Sequence, residues 1–266
     1  DHRDLHSFPT RRSSDLCYPS LQGNGSKYTA VNLADQIKKN DSGARVALID
    51  LDLKVPYLAG YLSGHDKVHT IDNLIERIDG GFLDEEAIND NIVELPNGVE
   101  LLKGTKLKNT YHFIKQEHIR QILVLLKRMY DVVVVAVSNG GDSLSATVSM
   151  LSADHIVVVS KNDFSNYQSL EKELEFVNHY AKDEEAVKLV FNMFDAQSDL
   201  DFQPILSGQE VPLLAWVPFD VSTINNKHID GQGVVGKFMK SRKEQSPYDD
   251  LILSMFPQEK KSKKGE

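Results

Sequence analysis

Cysteine is almost missing from this 266-residue chain: Cys17 stands alone, which excludes an internal disulfide and any cysteine-rich metal cluster. Long hydrophobic runs are missing as well. No window approaches the ~18 uninterrupted apolar residues of a membrane-spanning helix, and the first residues carry no apolar signal-peptide core. Positive charge is in deficit: 30 Lys and Arg stand against 39 Asp and Glu, and the net charge of −9 argues against broad binding to nucleic acid, whose phosphates require a basic face. The 9 histidines are scattered without an HxxxH or comparable metal-binding spacing. Ser138, Ser143 and Ser145 lack the GxSxG elbow of a serine hydrolase. What is there, 41% hydrophobic and 26% charged residues, is the composition of an ordinary globular protein long enough for one sizeable domain. We expect a cytoplasmic location.

The stretch HSFPTRRSSDL, His6 to Leu16, resembles the translation of a common DNA-sequencing adapter. Residues 1–16 are therefore expected to be an assembly artefact, disordered and outside the fold, with the native chain starting near Cys17. From Cys17 onward, short apolar runs alternate with helical spacing, the rhythm of βαβ units around a parallel sheet. Strands are expected at RVALIDLDL (45–53), YDVVVVAVS (130–138), HIVVVS (155–160), VKLVFN (187–192) and LLAWVP (213–218). Helices are expected at YTAVNLADQIKKN, IDNLIERI, FIKQEHIRQILVLLKRM, SLSATVSML and NYQSLEKELEFVNHY. This pattern implies an α/β fold, a doubly wound, mostly parallel sheet flanked by helices, with a ligand site beyond the carboxyl ends of the strands. Residues 246–266 read as a short helix and a lysine-rich, solvated tail.

LQGNGSKYTAVNLA, Leu21 to Ala34, has the form of a phosphate-binding loop running into a helix. Gly23, Asn24 and Gly25 can wrap backbone N–H groups around an anion, and Lys27 offers charge. The usual GK[ST] ending is absent, because Lys27 follows Ser26 and precedes Tyr28.

With NLA at Asn32 to Ala34 and the following ARVALIDLDLKVPYLAGYL, the chain resembles the MinD/ParA group of deviant Walker A P-loop ATPases, and within it the CpaE/TadZ-like branch of pilus-assembly systems. The resemblance implies a P-loop domain over 17–245. Aligned without gaps on Asn32, Leu21 falls at the family's signature lysine, Gln22 and Gly23 at its paired glycines, and Ser26 at the P-loop lysine. Lys27 then falls at the magnesium-binding Ser/Thr. Neighbouring helical side chains diverge by about 100°, so Lys27 is expected to point away from the phosphates. Asp50 and Asp52 match the DxD, which implies Asp50 as a metal ligand and Asp52 as the catalytic carboxylate beside the attacking water. Ala136 replaces the Walker B aspartate and Ser138 the proline after it. Asn192 matches an adenine-reading Asn, and Pro218 and Asp220 the base-side loop.

ATP, and Mg²⁺ with it, are the cofactors that the resemblance implies. Three charge-bearing positions are replaced, at Leu21, Ser26 and Ala136, so nucleotide binding is expected to be weakened or lost. The expected function is a pseudo-ATPase: a homodimeric, noncatalytic assembly or localisation factor for a Tad-type pilus, secretion or conjugation apparatus. The alternative is an ATP-hydrolysing MinD/ParA-type switch with an atypical loop, in which Lys27 or Lys54 supplies the cation. A DNA-associating partition protein is disfavoured by the acidic balance. Peripheral membrane contact would fall to LILSMF and the KKSKK tail.

Overall fold

The valine-rich runs form the middle of one eight-stranded sheet. The computed structural model describes residues 12–62, 70–106, 110–140, 143–219 and 246–257. The strands are β1 (Ser13–Pro19), β2 (Val46–Asp50), β3 (Ile92–Glu94), β4 (Glu100–Leu102), β5 (Val132–Ala136), β6 (His155–Ser160), β7 (Val187–Phe194) and β8 (Leu213–Pro218). Across the sheet the order is β3-β4-β2-β5-β1-β6-β7-β8. Neighbours pair in parallel except β3 with β4, an antiparallel pair at one edge. The expected doubly wound sheet is what the chain forms.

The helices are α1 (Ser26–Asn40), α2 (Leu58–Leu62), α3 (Ile71–Asp79), α4 (Glu85–Asn89), α5 (Gln116–Met129), α6 (Leu144–Ser152), α7 (Phe164–Tyr180), α8 (Gln203–Gly208) and α9 (Asp249–Met255). Strand side chains alternate between the two faces, and each face has its own core. Leu16, Tyr18, Ile49, Val133, Val135 and Val158 pack under the layer that includes α3 and α5 to α7. Cys17, Val46, Leu48, Val132, Val134 and Val157 pack under α1, α2 and α9. Strands covered on both sides must be apolar throughout, which is why they read as continuous runs. In α5 the buried positions Ile119, Ile122, Leu123, Leu126 and Met129 follow the helical period. Side chains cap α4, α6 and α7: Asp84, Ser143 and Asp163 accept from the backbone N–H three residues on.

Two expectations are corrected. Ser13 to Leu16 were assigned to a disordered segment, but they form the first part of β1, bonded to β5 on one side and β6 on the other. The sheet has a central slot between β5 and β6, and only this segment of the chain leads directly into the glycine loop. The C-terminal helix, read as solvated, belongs to the core: Leu251, Ile252 and Met255 of α9 and the flanking Tyr248 and Phe256 are buried against α1 and the sheet. The hairpin β3–β4 and the short α2, α4 and α8 were not anticipated, being too brief to show a period. The KKSKK tail lies outside the described residues.

The start of β1 is a poor strand chemically. Asp15 is fully buried between valine-rich strands; its Oδ1 accepts from the Ser13 hydroxyl and lies 2.9 Å from His155 Nδ1, while Oδ2 has no partner among the described residues. An unsatisfied buried polar atom costs about 1–3 kcal/mol. Asp15→Val is therefore expected to stabilise the protein by about 1 kcal/mol or more, read as a higher urea midpoint at unchanged m-value.

Candidate functional site

The carboxyl ends of β1, β2, β5, β6 and β7 converge where the chain leaves β1 toward β2 on one side and, later, β5 toward β6 on the other. That switch point is where an open parallel sheet binds ligands. The loop Ser20–Gly25 occupies it. Gly23 (φ 87°) and Gly25 (φ 85°) are both left-handed, so the loop curls as its glycines allow. α1 then starts with no side-chain cap and no acidic residue in its first turn. Its first N–H groups are left for an anion or water, as in a phosphate cradle.

The loop is pinned from below by a polar cluster. Asn24 is buried, and its Nδ2 donates to Ser20 Oγ (2.8 Å), Asn166 Oδ1 (2.7 Å) and the Val159 carbonyl (3.3 Å). Asn166 in turn accepts from Ser160 Oγ and donates to the Asp163 carboxylate, which is held below its ordinary pKa by the Asn166 hydrogen bonds although burial opposes them. Asn139, just beyond β5, donates to the carbonyls of Pro19 (3.1 Å) and Ser20 (2.7 Å). Asn192 Nδ2 donates to the Asn24 carbonyl (2.7 Å), and a Cβ on Gly25 would stand 2.2 Å from that nitrogen. Sequence reasoning placed Asn24 and Asn192 at the site; the structure puts both side chains against the inner side of the loop. Ser20, Asn139, Ser160 and Asn166 were not foreseen. The bonds of Asn166 with Asp163 and Ser160, and of Asn24 with Ser20, are local, whereas those joining Asn24 to Asn166 and Asn139 to Ser20 span more than a hundred residues.

Lys27 does not reach over the loop. Its Nζ lies 2.9 Å from Asp52 Oδ2 and 4.0 Å from Asp50 Oδ1, donates to the Val55 carbonyl, and sits 5.4 Å from the centre of the Tyr57 ring. Ser26, which directly follows the second loop glycine, is buried. Leu21 is half-buried, and Tyr28 packs partly against the core under α1. Asp52 Oδ1 accepts from the Val55 N–H at 3.0 Å. Asp50 is fully buried and accepts from the N–H groups of Leu58 (3.0 Å) and Asp52 (3.1 Å). Ala136 is its register partner on β5, so a methyl group stands beside Asp50 where the resemblance puts a second carboxylate. Pro218 ends β8 exposed at the same edge, and Asp220 lies outside the described residues.

Burial pushes the Asp50 carboxyl up from 3.8 to about 6, and the Lys27 charge only partly opposes this. Cys17 is buried in β1, and burial pushes its thiol well up, which leaves it unreactive. No cluster of three or more His, Cys, Asp or Glu is placed to hold a metal among the described residues. The loop backbone fits a phosphate. The side chains do not fit a magnesium ion, since an ammonium already lies against both carboxylates.

A parallel sheet with a glycine loop leading from its central strand into a helix is the fold of P-loop nucleoside triphosphatases. Within that class it is the MinD/ParA fold. A ParA family ATPase from Chlorobium tepidum superposes with a TM-score of 0.75 at 17% identity, over 86% of this chain and 94% of that one. The cell division ATPase MinD of Pyrococcus furiosus gives 0.70 at 20% identity, over 93% and 97%. MinD of Pyrococcus horikoshii, solved with Mg-ADP, gives 0.66 at 19%, over 92% and 94%. No protein-family profile matches the sequence, and no curated protein matches it significantly.

Two outcomes test the site's geometry. Gly25→Ala is expected to destabilise the protein by at least about 2 kcal/mol, because the new Cβ needs a left-handed backbone and collides with Asn192; calorimetric melting measures it. Asp50 has the opposite sign to a paired surface carboxylate. Its folded pKa is the higher one, so its stabilising contribution is complete below 3.8 and is lost as pH rises through about 6. The stability of the wild type relative to Asp50→Asn should therefore fall by about 2 kcal/mol between about pH 4 and about pH 7.5, measured by urea unfolding.

Proposed function

We propose that this chain is a noncatalytic relative of the MinD/ParA ATPases, working as a homodimeric assembly or localisation factor. The observation that carries the reading is the direction of Lys27: the one lysine within the loop motif is ion-paired with Asp52 at 2.9 Å, and Ser26 stands where the phosphate-gripping lysine belongs. Phosphoryl transfer is catalysed by positioning and by positive charge on the transferring phosphate. Leu21, Ser26 and Ala136 remove such groups, directly or through the metal. Replacing an ammonium about 4 Å from a phosphate forfeits roughly 4 kcal/mol at an effective dielectric near 20, or nearly three decades of affinity.

The machinery this factor serves is proposed from the CpaE/TadZ-like run around NLA and DLDLKVPYLAGYL, which points to a pilus, secretion or conjugation apparatus. The backbone cradle supports residual, weak nucleotide binding. Among the described residues no helix is long and apolar enough to cross a membrane.

Isothermal titration with ATP and Mg²⁺, paired with a phosphate-release assay, tests this reading. Dissociation constants above ~1 mM and no steady turnover are expected. Micromolar binding with sustained release of phosphate would overturn it in favour of an ATP-driven switch.

A further inference from the structure

The carboxyl end of β2 is an oxygen-rich site. Two carboxylates two residues apart, one fully buried and one nearly so, face the same point, and the Val55 carbonyl joins them. Carboxylate and carbonyl oxygens arranged in this way are the donor set that hard divalent cations take. Here the point is filled from within the chain. Lys27 leaves the first turn of α1 and places its ammonium 2.9 Å from Asp52 and 4.0 Å from Asp50, with a further bond to the Val55 carbonyl.

We infer that Lys27 is a tethered cation standing in for a divalent metal, tying the start of α1 to the segment after β2 and making the loop's shape independent of any ion. The ammonium donates to both Asp52 and the Val55 carbonyl, so the oxygens that would face a metal are already engaged. The tether also costs less ordering entropy than capture of a free ion, because α1 already holds the stem of Lys27 in place. Half-exposed Tyr57 lies beside the ammonium and narrows its access to water. The polar cluster beneath Asn24 supports the same conclusion from the other side of the loop, since it fixes the loop's curvature without a ligand.

The inference deepens the noncatalytic reading and rests on the same lysine, yet it is tested without nucleotide. Mn²⁺ alone is the probe, with free ion followed by electron paramagnetic resonance and the protein by its melting temperature. The wild type should bind no Mn²⁺ at millimolar concentration and show no shift in melting. Lys27→Ser frees the two carboxylates and should gain one site at least tenfold tighter, with melting raised by Mn²⁺. Lys27→Ser combined with Asp52→Asn should lose that site while relieving the repulsion between the carboxylates, and the melting transition of each variant shows whether it folds. Specific Mn²⁺ binding by the wild type would overturn the inference, and so would a folded Lys27→Ser variant that gains no site. ATP turnover by a wild type that ignores Mn²⁺ would defeat the proposed function and leave the tethered cation standing.

Discussion

The carboxyl end of β2 sets two carboxylates against each other in a place with little water, and everything at the loop follows from how that charge is balanced. Asp50 has no exposed surface, and its burial outweighs the attraction of a lysine 4.0 Å away, as its upward pKa shift shows. Without the lysine the imbalance would be larger, because a unit charge at that distance contributes about 4 kcal/mol at an effective dielectric near 20. Lys27 is therefore committed to β2. Its ammonium is engaged by Asp52 and the Val55 carbonyl and lies away from the loop backbone that curls at the start of α1.

That backbone is nevertheless kept in the shape of a cradle. Left-handed glycines at 23 and 25 set the curl, and Asn24, Asn139, Asn166 and Asn192 hold it from beneath and behind. Each amide makes more than one bond or bonds a backbone carbonyl, so the cluster is close to fully satisfied, the condition under which buried polar networks rigidify rather than weaken a fold. A loop supported in this way does not depend on a ligand to stay formed.

Much of the architecture could be read along the chain. Valine-rich runs at 132–136 and 155–160 became central strands, and the period of 116–129 became a helix, because each pattern is long enough to show which faces are covered. Ser13 to Leu16 escaped because the run HSFPTRRSSDL was set aside as adapter-derived, and its two serines and aspartate offered no apolar strand pattern to oppose that. β3 and β4, three residues each, are shorter than any period, and α9 shows its buried face only once α1 is there to cover it. At the site, the turn of Lys27 away from the loop was legible from helical geometry. Its destination was not, since the partners Asp52 and Val55 reach it only through the pairing of β2 beside β5.

Sequence alone determined the class of fold and the chemical vocabulary of the site: glycines that can curl, a DxD at a strand end, and a serine directly after the second loop glycine. These are local facts, carried by spacing and by what each side chain can do. Tertiary structure decided which charges meet. The depth at which Asp50 sits, the methyl of Ala136 beside it and the span from α1 to the carbonyl of Val55 arise from strands brought together across long stretches of chain. Electrostatic energy depends on distance and on exclusion of water, and neither exists until the chain is packed.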